Sequence, residues 1–126
     1  TGCLRNIISI ESSNISLLKN EFDKVYEILS IERSNDEPMM NIICNYDKSW
    51  RLLVFPRSKH RPTHFFEEGE NKILISPAAV DLGGVLIFPR EEDFERITRE
   101  LVIDVFNQVT FSDVEFNYLS DKIKNR

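Results

Sequence analysis

Hydrophobic positions along the chain change period several times, and each change marks an element. Residues 4–10 place Leu4, Ile8 and Ile10 on one parity, interrupted by Ile7, which predicts a strand. Glu11, Ser12, Ser13 and Asn14 form a polar break, with Asn14 or Ser16 suited to cap a helix. Leu18, Phe22, Val25, Tyr26 and Leu29 then recur at three and four residues, the spacing of one helical stripe that ends near Ser30. The charged stretch 32–38 closes on Pro38, which forbids a continued helix, and is expected to be the least ordered part. Apolar runs at 39–46 and 50–55, joined by Asp47, Lys48 and Ser49, predict a tight hairpin. Leu52, Leu53, Val54 and Phe55 are apolar on both parities, so their strand should be central and covered on both faces.

After a long loop at 56–71, residues 72–76 and 85–88 read as two further strands, separated by Pro77 and a bend at Gly83-Gly84. Beyond Pro89, the acids Glu91, Glu92 and Asp93 suit the first turn of a helix whose stripe is Phe94, Ile97, Leu101, Val105 and Val109. A short last helix is expected over 113–123. The predicted order is β-α-β-β-β-β-α with a possible final helix. It belongs to the α+β class, with a mainly antiparallel sheet of about five strands and helices packed on one face. Trp50 is expected in the core or on the hairpin flank.

Composition narrows this picture. With 126 residues, 41% of them hydrophobic and nine of them Phe, the chain can build one core as a single domain over 1–126. It shows no apolar run long enough to cross a bilayer and no signal-peptide pattern, so a cytoplasmic setting without membrane contact is expected. The chain starts at Thr1, which fits either a processed terminus or a domain taken from a longer chain. Cys3 and Cys44 could pair by count, but two reduced core residues are the expectation. A net charge of −5 argues against nucleic-acid binding.

The charge is uneven, however. Arg57, Ser58, Lys59, His60, Arg61, Pro62, Thr63 and His64 carry three fixed positive charges and the chain's 2 histidines, with no acid among them. Guanidinium forks and a lysine ammonium suit phosphate oxygens, and Arg57 directly follows the central strand. The blander alternative is a solvated loop whose charges offset Glu67, Glu68 and Glu70. Pro62 between His60 and His64 opposes the helix that would make their spacing a metal site. No zinc motif, nucleophile elbow or catalytic triad can be argued, and neither a metal nor a cofactor is expected. The run Asp81-Leu82-Gly83-Gly84 reads first as a structural bend, since it is no phosphate-binding motif.

The segments 41–47, 50–59, 75–87 and 90–94, in that order and spacing, resemble the C-terminal half of the ATP adenylyltransferase and diadenosine tetraphosphate phosphorylase family. They look closer still to the GDP-L-galactose phosphorylase-like proteins, bacterial relatives included, of the histidine-triad (HIT-like) superfamily. The likeness covers roughly residues 39–97. It implies an antiparallel sheet with flanking helices, and nucleotidyl transfer through a covalent nucleotidyl-histidine on a His-x-His-x motif. This chain has no such motif, which in the family lies in the other half. By the resemblance, Arg57, Ser58 and Lys59 match the basic strand end and take a phosphate-facing role. Ser76, Gly83 and Gly84 match the family's turn near the ligand. Ala78 and Asp81 depart from it, and an acid at Asp81 needs Arg57 or Arg61 as a partner.

The chain is therefore expected to be the non-catalytic C-terminal half of a nucleotidyltransferase or phosphorylase, inactive alone. Arg57, Lys59, His60 and Arg61 would meet the phosphates of a nucleotide or nucleotide-sugar. Its partner would be the N-terminal half of the same protein, and an exposed sheet edge would favour a homodimer. The alternatives are a degenerate HIT-like module used for binding or assembly, and a hydrolase or metal site built on His60 and His64.

Overall fold

The computed structural model describes residues 6–33 and 37–125, so Cys3 and Leu4 lie outside the described residues. Strand β1 (Ile8–Ser12) leads into helix α1 (Ile15–Glu32), whose N-terminus is capped by Asn14: its Oδ1 accepts from the amides of Ser16 at 2.8 Å and Leu17 at 3.3 Å. Strands β2 (Met40–Asp47) and β3 (Ser49–Pro56) form the predicted hairpin. Its turn is a single residue, Lys48, held at a φ of 61° between the paired Asp47 and Ser49. Trp50 sits on the hairpin flank, its ring 5.0 Å from that of Tyr46. The sheet order is β1-β3-β2, antiparallel throughout, with β3 in the centre as its unbroken apolar run requires.

Both faces of β3 are covered. Leu52 and Val54 pack with Leu18 of α1, beside Ile8, Ile10 and Phe22. Phe55, with Leu53, packs on the opposite face against Leu82, Phe106 and Val109. Those residues belong to helices α2 (Ala79–Leu82) and α4 (Arg99–Val109). The expectation of helices on one face is thus corrected. A strand apolar on both parities needs cover on both sides, and α1 and α4 supply it. The last helix, α5 (Asp113–Lys124), packs Leu119 on Val25, Ile28 and Leu29 of α1. Ser112 and Glu115 close its first turn as a capping box, with the Ser112 amide donating to Glu115 Oε2 at 2.8 Å.

The expected strands at 72–76 and 85–88 are corrected too: among the described residues the sheet has three strands, not about five. Their amides find other acceptors. The Leu74 amide donates to Asp93 Oδ2 at 2.9 Å, the Ile73 amide to the His64 carbonyl at 2.9 Å, and the Ile87 amide to Asp81 Oδ1 at 3.0 Å. Ile73 and Ile75 are apolar because they are buried against Val105 of α4, not because they pair in a ladder.

The long helix expected after Pro89 is two helices, α3 (Glu91–Arg96) and α4. Ile97 turns extended, with ψ at 133°, and the Thr98 hydroxyl caps α4 by accepting from the Leu101 amide at 3.2 Å. Phe94, placed on the core stripe by its spacing, is 67% exposed as a result. The bend at Gly83-Gly84 is present, with Gly84 at a φ of 117°. Cys44 is exposed on β2, contrary to the expected core position. Among the described residues no helix is long and apolar enough to cross a membrane.

Candidate functional site

The basic loop begins where β3 ends, and the chain anchors it heavily. The Arg57 amide donates to the Met39 carbonyl at 2.9 Å, and the Ser58 amide to that of Val109 at 3.0 Å. The Ser58 hydroxyl reaches the carbonyls of Gln108 at 3.1 Å and Thr110 at 3.2 Å. Arg33, at the end of α1, donates from Nη2 to the carbonyls of Arg57 and Ser58 at 2.9 and 3.0 Å.

Arg57 is only 3% exposed. Its Nε and Nη2 donate to the Lys59 carbonyl at 3.2 and 2.9 Å, and Nη2 also to the His60 carbonyl at 2.7 Å. Its Nη1 donates to Asn41 Oδ1 at 2.6 Å and to the Pro77 carbonyl. A guanidinium has five N–H donors, and these bonds occupy all of them. Burial lowers the guanidinium pKa from its ordinary value, and the Asp81 carboxylate offsets part of that effect. Asp81 is itself buried and accepts from the Ala78 amide at 2.8 Å. Asp81 also accepts from the Ile87 amide at 3.0 Å, so backbone amides satisfy it and no direct ion pair joins it to Arg57 or Arg61 among the described residues.

Above Arg57 opens a cleft of about 620 Å³. It is lined by Lys59, His60 and Arg61 with Asn41 and Arg57, by the 76–78 segment, and by Phe66. Lys59, His60 and Arg61 are exposed. Arg61 reaches Ser76 Oγ from Nε at 3.4 Å and lays its Cζ 4.1 Å over the Phe65 ring. The structure thus brings Arg57, Lys59, His60, Arg61 and Ser76 together. Gly83 and Gly84 do not line this cleft. Gly83 instead meets the sheet, where a Cβ would lie 3.0 Å from Ile43 Cδ1.

His64 belongs elsewhere. Its Nε2 lies 2.7 Å from Asp104 Oδ2, which also accepts from Gln108 Nε2 at 2.8 Å, and it borders a separate cavity with Glu67, Glu70 and Arg96. The two histidines do not share a site, and no group of His, Cys, Asp and Glu among the described residues could hold a metal.

Sequence reasoning missed a second charged centre. Asp93 has no exposed surface, yet it is ionised. Burial, the largest single influence, would raise its pKa. Hydrogen bonds from Arg90 at 2.8 and 2.9 Å, from the Leu74 amide and from Arg96 at 2.6 Å outweigh burial and bring it to about 2. Arg90 and Arg96 also donate to the Lys72 carbonyl, at 3.1 and 2.7 Å, so the cluster fixes the start of the 72–76 segment that carries Ser76 to the cleft. Asn41 and Phe66 at the cleft were missed as well. An exposed Phe beside a basic run is the only signal that could have pointed to the latter.

A family model described as GDPGP1-like, C-terminal domain, matches residues 4–126. Neither a curated protein nor a solved structure matches the chain.

Proposed function

The chain belongs to the family of GDPGP1-like C-terminal domains, and from that premise we propose that its cleft holds the phosphates of a nucleotide or nucleotide-sugar. The chain serves a nucleotidyltransferase or phosphorylase as the half that binds, while the nucleophilic histidine comes from the N-terminal half of the same protein. One observation carries this reading. Lys59, His60 and Arg61 converge on a single cleft in a chain whose net charge is −5. Their side chains are exposed there, over a frame that Arg57 rigidifies. In such a frame the loop's ordering entropy is already met by folding, so anion binding does not bear it again. Arg57 adds charge from below and shapes the loop, while the contacts to phosphate fall to Lys59, His60 and Arg61. Ser76, whose Oγ accepts from Arg61, would add its hydroxyl.

The chain alone is expected to be inactive. No carboxylate orients His60 among the described residues, and His64, which has Asp104, opens on another cavity. The test is calorimetric titration of pyrophosphate and of GDP into the whole chain at low salt. Lys59→Ala combined with Arg61→Ala should weaken both by about a hundredfold or more, since charge-assisted hydrogen bonds contribute about 1.5–3 kcal/mol each when well formed, about 3–6 kcal/mol for the two. An unmeasurable affinity in the parent chain, or a double variant that binds equally well, would sink the reading.

A further inference from the structure

We propose that Phe66 is the base-stacking face of the cleft, the residue that holds the part of a nucleotide beyond its phosphates. This inference rests on the phosphate reading above and adds to it the part of the ligand that carries no charge.

Phe66 is 68% exposed although it lines a cleft otherwise rimmed by Lys59, His60, Arg61 and Ser76. An exposed benzyl side chain gains little from folding, and beside a cationic rim it offers what charge cannot, a flat apolar surface. The ring is not loosely hung. Its backbone amide donates to the Thr63 carbonyl at 2.9 Å, closing a short 3-10 turn over Thr63–Phe65. Its ring meets that of Phe65 edge-on, with centroids 5.2 Å apart and planes at 74°. Phe65 is itself held beneath two cations, Arg61 Cζ at 4.1 Å and Lys72 Nζ at 5.7 Å. Phe66 therefore packs against Phe65, leaves most of its surface exposed and contributes to the lining of the cleft.

Size points the same way. At about 620 Å³ the open cleft has room for more than a phosphate. Arg61 joins the two parts: it supports the aromatic pair through Phe65 and lies on the cationic rim. A ligand with a planar base at one end and phosphates at the other would meet Phe66 and the Lys59–Arg61 rim together. Stacking accepts any base, because every base has a π face, so this residue selects for a nucleotide without choosing which one.

The experiment titrates GDP and, separately, inorganic pyrophosphate into the whole chain and its Phe66→Ala and Phe66→Tyr variants. Phe66→Ala should weaken GDP binding by about tenfold and leave pyrophosphate within about twofold, while Phe66→Tyr, which keeps a ring, should hold GDP near the parent affinity. GDP binding unchanged in Phe66→Ala overturns the stacking role and leaves the phosphate reading intact. Equal loss of GDP and pyrophosphate in Phe66→Ala also overturns it, since the ring would then act on the fold of the loop. Failure of both ligands to bind the parent chain overturns the phosphate reading itself.

Discussion

Asp93 keeps its charge in a place where water cannot reach it, because two guanidinium groups and one amide replace the water. Its carboxyl titrates at about 2, below the ordinary value of 3.8. The folded state therefore holds this group ionised more firmly than the unfolded chain does. The stabilisation, about 2 kcal/mol, is fully present above pH ~4 and is lost as the pH falls towards 2. Asp93→Asn should cost about 3 kcal/mol near neutrality, the scale for breaking a buried pair. Urea unfolding at stepped pH checks both points: the gap between parent and variant should close in acid, and a gap constant down to pH 2 would refute the assignment. Sequence could not single this residue out. Glu91, Glu92 and Asp93 are three consecutive acids in a first turn, alike as a pattern. What separates Asp93 is the approach of Leu74 from another segment, which no local spacing encodes. Arg57 was legible as important, because it follows a central strand directly. Its carbonyl partners were not, since every residue has a carbonyl.

Helix ends were readable where side chain and spacing agreed. Asn14 stands in a polar break, and Ser112 has Glu115 three residues on, so both starts could be seen in advance. Thr98 has Leu101 at that position instead, and the apolar spacing from Phe94 to Val109 runs through it as though one helix continued. The interruption is visible only as the extended Ile97 and the Thr98 cap. Thr98→Ala should destabilise the chain by about 1 kcal/mol, while Thr98→Ser or Thr98→Asp should stay within about 0.5 kcal/mol, as thermal unfolding would show. A Thr98→Ala chain as stable as the parent would mean that α4 is held by its packing alone. Residues 72–76 failed as a strand for a related reason, whereas in 85–88 Val85 and Ile87 are exposed and only Leu86 and Phe88 pack inward. Apolar, β-branched runs report burial, and burial against a helix looks the same in sequence as burial in a sheet.

At the scale of the molecule, the sheet ends on β2, whose outer edge has no partner strand among the described residues. On that strand Ile42 and Tyr46 are 39% and 60% exposed, and Cys44 is exposed between them, all on one parity. An open edge with apolar side chains invites pairing. We expect the isolated chain to form dimers in sedimentation velocity as concentration rises, and Tyr46→Lys to shift them towards monomer. Monomer at every concentration would count against this. The order of elements was partly legible, the hairpin and its central strand above all. The number of layers was not, because cover for the second face comes from residues some fifty positions downstream of β3. Arg57 ties together points far apart in the chain, residues 41, 59, 60 and 77. It grips Lys59, His60 and Pro77 by main-chain oxygens, which any amino acid would present. Architecture and selectivity are thereby uncoupled at this rim. The side chains at 59 and 60 can be exchanged by mutation while the loop beneath keeps its shape, so the chemistry of this rim can change without the frame being rebuilt.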